Sequence, residues 1–267
     1  MRWLKIVPLG AATVSILTVL FAQRNFVTYP YEEVNPRRFQ RTPTRRRNGH
    51  SGGCAIPPAA AMAAGRRSSW STDYPKADRQ FVMGVRRLTR LHTRSSEQVV
   101  DLDIDDDEIY NWPWIYAVEV GHWGLTDAQC RKVREYLLRG RFLMTDDFHG
   151  TEGWAVFMES MGRIFPDRPI VEIENKDAIF HVLYDLDERI HVMGTVTLGS
   201  GVTYERDGVV PHWRAIYDDR GRIMVAMCFK QDNGDAWEWA DHPQYPERAA
   251  SQAYRMGLNY IIYSMSH

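Results

Sequence analysis

From Ile115 onward, short apolar runs alternate with amphipathic helical stretches, and no other feature of this chain restricts its fold so tightly. Ile115–Val120, Phe142–Thr145 and Ile223–Phe229 read as strands too short and too apolar to lie on a surface. Between the first two, Thr126 caps a helix that runs to Leu138, with Gly140 as its stop. Trp154, Phe157, Met158, Met161 and Phe165 recur at helical spacing before Pro166, and Ile170–Ile173 reads as a further strand. Trp213–Tyr217 and Ile223–Phe229 flank the turn Asp218-Asp219-Arg220-Gly221 as a hairpin. A long helix follows Pro246, burying Ala249, Ala253, Met256, Tyr260 and Tyr263. Strands alternating with helices imply an α/β fold. The expectation is a mainly parallel sheet, helices on both faces, and the antiparallel hairpin at one edge. Upstream, Phe81, Val85, Leu88 and Leu91 define a helical face after Asp78 as a cap, and Val99–Ile104 reads as a strand.

Charge divides the chain of 267 residues in two. Residues 1–72 hold eleven Arg and Lys against Glu32 and Glu33, a net of +9, so the remainder carries −10 to reach the overall −1. An acidic body is no nucleic-acid binder, because phosphate contacts need a basic face. Arg2 and Lys5 precede an apolar stretch from Ile6 to Ala22, which reads as a signal peptide or N-terminal anchor over residues 1–23. Residues 24–69 then read as an Arg-rich disordered linker, and residues 70–267 as the domain. The protein is therefore expected to be exported, either periplasmic or held at the inner membrane, with membrane contact only through its N-terminal segment. Cys130 and Cys228 fall inside elements and read as small buried hydrophobes. Cys54 lies in the linker.

Ligands of open α/β sheets bind beyond the carboxyl ends of the strands. The residues there are His122 after the first strand, then Asp146, Asp147 and His149, then Asp232, Asp235 and Glu238. These seven form the candidate ligand-binding set. Asp147 and Thr151 also suit the cap of the following helix, and Asp232-Asn233-Gly234-Asp235 suits a plain turn. Neither cysteine occupies a turn beside a base, and the chain has no G-x-S-x-G, Walker, G-x-G-x-x-G or H-E-x-x-H motif.

Several stretches carry a family resemblance. They include Trp70-Ser71-Thr72-Asp73-Tyr74-Pro75, Trp112-Pro113-Trp114-Ile115-Tyr116, Arg141-Phe142-Leu143-Met144-Thr145-Asp146-Asp147-Phe148 and Asp232-Asn233-Gly234-Asp235-Ala236-Trp237-Glu238. In this order they resemble the bacterial family called domain of unknown function 4159, over residues 70–267. The resemblance implies a flavodoxin-like three-layer sandwich of the class I glutamine amidotransferase kind. It implies no established activity, and it marks the Asp-Asp-Phe and Gly-Asp-Ala-Trp-Glu steps as functional patches. The chain departs from the family in its irregular residues 34–69 and in Leu138-Arg139-Gly140-Arg141, where a Gly-Gly pair is usual.

The leading expectation is a domain without a Cys nucleophile that binds a small polar ligand or an envelope protein, is not an enzyme and needs no cofactor. The alternative is a metal-assisted hydrolase holding a divalent metal through Asp146, Asp147, His149 and Asp235, since carboxylates and imidazole suit such an ion. A structural envelope protein is the third reading.

Overall fold

The computed structural model describes residues 72–91, 93 and 107–267. The expected leader, the linker with Cys54, and the strand at Val99–Ile104 lie outside the described residues.

Five strands form one sheet. They are β1 (Trp114–Ala117), β2 (Phe142–Thr145), β3 (Val171–Glu172), β4 (His212–Tyr217) and β5 (Ile223–Phe229), in the order β1-β2-β5-β4-β3. β1, β2 and β5 run parallel, while β4 is antiparallel to both β5 and β3. The sheet is thus mixed rather than mainly parallel. The hairpin is not simply added at an edge either. β5 sits in the middle, buried along its whole length, and β4 and β3 complete the sheet on its far side.

The helices are α1 (Lys76–Leu88), α2 (Asp127–Leu138), α3 (Gly150–Ile164), α4 (Asn233–Glu238) and α5 (Glu247–Ser266). Strand residues alternate between two cores, as a period of two requires. Trp114, Tyr116, Phe142 and Met144 pack with α1, α4 and α5. Ile115, Ala117, Leu143 and Val225 pack with α2 and α3 on the opposite face. The Thr126 hydroxyl accepts from the Gln129 backbone N–H while the Gln129 side chain accepts from Thr126, which fixes the start of α2. Gly140 leaves that helix at φ +89°, where a side chain would be strained. α5 follows Pro246, and its expected stripe is buried.

α1 differs from its sequence reading. It begins at Lys76, so Asp78 lies in its first turn rather than capping it, and Leu88 is half exposed because the packed face ends at Val85.

Residues 173–211 contain little regular structure, yet polar side chains hold them closely. Asn259 on α5 accepts from the Tyr184 N–H at 2.9 Å and donates to its carbonyl at 2.8 Å. Gln252 treats Ile190 the same way, at 2.6 and 2.7 Å. Gln231 accepts from the Val192 N–H at 2.8 Å, and the Asp232 N–H donates to the Val192 carbonyl at 3.1 Å. Each amide does what a neighbouring strand would do, so the backbone groups of Tyr184, Ile190 and Val192 are satisfied without one.

Candidate functional site: an acidic rim at the strand ends

The parallel strands bring their carboxyl ends to one edge, where backbone bonds tie the tips together. The Asp146 N–H donates to the Ala117 carbonyl, the Asp147 N–H to Gln231, and the Lys230 N–H to Phe148, each at 3.0 Å. The Asp146–His149 turn and the Gln231–Glu238 segment therefore lie side by side.

Asp146 is fully buried and accepts four hydrogen bonds. These come from the Asn233 N–H at 2.7 Å, Asn233 Nδ2 at 2.8 Å, the Gly234 N–H at 3.2 Å and the Tyr116 hydroxyl at 2.8 Å. Asp232 caps α4 by accepting from the Asp235 N–H at 2.8 Å. The expected plain turn is the first turn of that helix, and Asp146 and Asp232 together satisfy its free N–H groups. Burial still dominates the chemistry of Asp146 and raises its carboxyl to about pH 6 against the pull of those donors. Asp232 is raised well above its usual range, first by burial and then by Asp147 and Asp235.

Asp147 adopts φ +50°, which turns its side chain back toward His149, with Oδ1 3.2 Å from Nε2. Both side chains are nearly inaccessible. Burial raises the Asp147 carboxyl, helped by Glu119, and burial lowers the His149 imidazole although Glu205 opposes it. Both directions favour a neutral pair with one proton between carboxyl and imidazole. The other ring nitrogen, Nδ1, is buried without a hydrogen-bond partner. Neither Asp147 nor Thr151 caps α3. That role falls to Asp207, which accepts from the Thr151 N–H at 2.9 Å and also from its hydroxyl.

His122 is separate from these groups. It is exposed and pairs through Nδ1 with Glu119 Oε2 at 2.6 Å. Asp235 accepts from the Thr195 N–H at 2.5 Å and its hydroxyl at 2.8 Å. Glu238 is raised, mainly by burial.

The main addition to the sequence reading is Asp73. It stands at φ +65° just before α1, and its carboxylate lies against Gly234, where any Cβ would collide with Oδ2. Burial, then Asp235, Asp147, Glu238 and Asp146, push Asp73 up to about 9. Ligand atoms of Asp73, Asp235 and Glu238 lie within 4.8 Å of one another, a spacing that one cation could span. The four residues expected to hold a metal do not make this set. It shares Asp235 with them, while Asp146 is engaged by α4 and Asp147 by His149. Glu205 also comes in from the irregular segment. A Cβ on Gly194 would stand 2.5 Å from Glu205 Oε1, 2.8 Å from Asp232 Oδ2 and 3.4 Å from Asp235 Oδ2. No local pattern marks Asp73 or Glu205, since each arrives from a different part of the chain, whereas Glu119 follows β1, which ends at Ala117 and not at the expected Val120. The quoted Trp70–Pro75 stretch is the one signal that touched Asp73.

The model of the family described as Domain of unknown function (DUF4159) matches residues 60–265. The chain belongs to this family. The match takes in every carboxylate of the rim. No curated protein matches the chain.

Proposed function

We propose that this domain binds a small polar ligand that carries a positive charge, and that the acidic rim is where it binds. One observation carries the reading: carboxylates from separate parts of the chain crowd one rim, with those of Asp73, Asp235 and Glu238 within 4.8 Å of one another. Asp73, Asp146, Asp147, Asp232 and Glu238 all hold their protons more tightly than ordinary carboxyls, first because they are buried and also, for all but Asp146, because other acids surround them. A cationic group entering the rim would exchange for those protons and relieve the mutual repulsion. Among the described residues no thiol nucleophile supports an amidotransferase reaction. Cys228 is buried inside β5 and Cys130 inside α2, and burial raises both thiols. The flavodoxin-like, amidotransferase-like arrangement is part of the same proposal, supported by three parallel strands with helices on both faces. The exported location belongs to it as well, supported by the apolar stretch from Ile6 to Ala22.

Thermal-shift screening with amino sugars, amino acids, polyamines and amine-bearing cell-wall fragments tests the reading. A hit whose shift disappears in Asp235→Asn supports it, and no shift from a well-folded sample refutes it.

The spacing of Asp73, Asp235 and Glu238 favours a second reading, in which the charge is a divalent metal and the domain a metal-assisted hydrolase. Asp147 and His149 would then be the groups that move a proton, because they share one at the same rim. Elemental analysis of the purified protein decides between the two. Stoichiometric metal that is lost in Asp235→Asn supports the hydrolase, and its absence removes it.

A further inference from the structure

α2 and α3 cover β1, β2 and β5 on one face of the sheet, and α3 reaches β4 at Ile216 and Arg214. A groove of about 550 Å³ remains between α3 and β4. That volume suits a small organic molecule. None of the rim carboxylates lines it.

Three features of the groove point to one kind of occupant. The first is its apolar wall. Trp154, Met158 and Gly162 follow one another at intervals of four along α3, facing Ile170 and Ile216, and the Trp and Met are only partly buried. The second is the distribution of charge. Arg168 and Arg214 line the groove with side chains 15% and 23% exposed, whereas their partners Asp219 and Glu172 are 88% and 54% exposed. Asp219 faces solvent, while Glu172 lines the groove beside Arg214, so two cations stand against one anion and the interior keeps a net positive charge centred on Arg168. Arg214 lies over the Trp154 ring at 4.5 Å, and the buried Nε of Arg168 has no acceptor. The third is Gly162. A glycine inside a helix costs roughly 0.5–1 kcal/mol relative to alanine. Here a Cβ would meet nothing within 4 Å, so no neighbour requires its absence. A ligand lying flat along the helix would require it.

We propose that this groove binds a small molecule with a flat apolar body and a single carboxylate, its body against Trp154, Met158 and Gly162 and its carboxylate on Arg168 and Arg214. The site is independent of the acidic rim, which repels such a ligand.

Titration calorimetry on the full chain tests the proposal, with 1-naphthoate as the probe and 1-naphthylmethanol as its neutral counterpart. The expected result is saturable binding of one naphthoate per chain and at least tenfold weaker binding of the alcohol. Arg168→Gln should weaken naphthoate at least tenfold. Gly162→Leu should abolish binding, since its side chain fills the groove without touching the core, and circular dichroism should show both variants folded. If Arg168→Gln does not fold, Gly162→Leu alone decides. Absence of saturable binding, equal affinity for acid and alcohol, or undiminished binding by folded Gly162→Leu would each overturn the proposal.

Discussion

Replacing Asp146 by asparagine should flatten part of the pH dependence of stability. The carboxyl of Asp146 ionises near pH 6 in the folded domain rather than at 3.8, chiefly because it is buried. A carboxyl raised by folding favours the folded state while protonated. Its contribution is complete below pH 3.8 and is lost as the pH rises through 6. At about 1.4 kcal/mol per pH unit, the loss amounts to about 3 kcal/mol. Asparagine removes the titration but can keep the hydrogen bonds. Its oxygen can serve the corner that now receives Tyr116, the Asn233 N–H and the Gly234 N–H. The Asn233 amide can then rotate to offer its oxygen to the new NH₂. Urea unfolding of both proteins at pH 3.5 and 7, with a chelator present, measures the effect. Wild type should lose about 3 kcal/mol more than Asp146→Asn over this interval. Asp73 titrates in both proteins, and because Asp146 is the smallest of the causes that raise it, most of its contribution cancels in the comparison. Parallel pH profiles for the two proteins would refute the reasoning.

Two glycines on helices should respond in opposite directions to alanine. In Gly257→Ala the new methyl would lie 2.6 Å from Phe81 and 3.0 Å from Trp237, so chemical denaturation should show a loss of roughly 1–3 kcal/mol. Gly162→Ala meets open space and should gain up to about 1 kcal/mol in the same assay. In a Cys54→Ser background, native protein should react with no thiol reagent, and urea should expose two thiols, because Cys130 and Cys228 are buried. Calcium or manganese titrated into Asp235→Asn should bind at least tenfold more weakly than to wild type if three carboxylates share the ion, whereas Asp207→Asn, which alters only the α3 cap, should change nothing.

Local chemistry made much of this architecture readable. Thr126, Gly140 and Pro246 each dictate an element boundary through a backbone constraint that operates within a few residues, and the structure follows all three. Strand order does not obey such short-range rules. β5 looks like half of a hairpin, and only its uniform burial reveals that it is central, because β2 takes its other edge. The meeting of Asp146 with Asn233 could be inferred because both follow parallel strands. Asp73 could not be placed there, since it reaches the rim from outside the sheet through an unusual φ and against a glycine lacking a side chain. The cap of α3 is hidden from the sequence for a related reason. Asp147 suits the cap by its position, but the backbone turn there directs its carboxylate to His149, and the Thr151 N–H is taken by Asp207, 56 positions further along the chain.

The paired amide contacts of Gln252 and Asn259 separate what is fixed in residues 173–211 from what is free. They grip the main chain at Ile190 and Tyr184 and ignore the side chains there. The path is therefore set by main-chain bonds as well as by the buried side chains of Ile179, Phe180, Leu186 and Val192, and this path delivers Glu205 and Gly194 to the rim. One wall of the rim thus hangs on two side-chain amides of a single helix rather than on the sheet beneath.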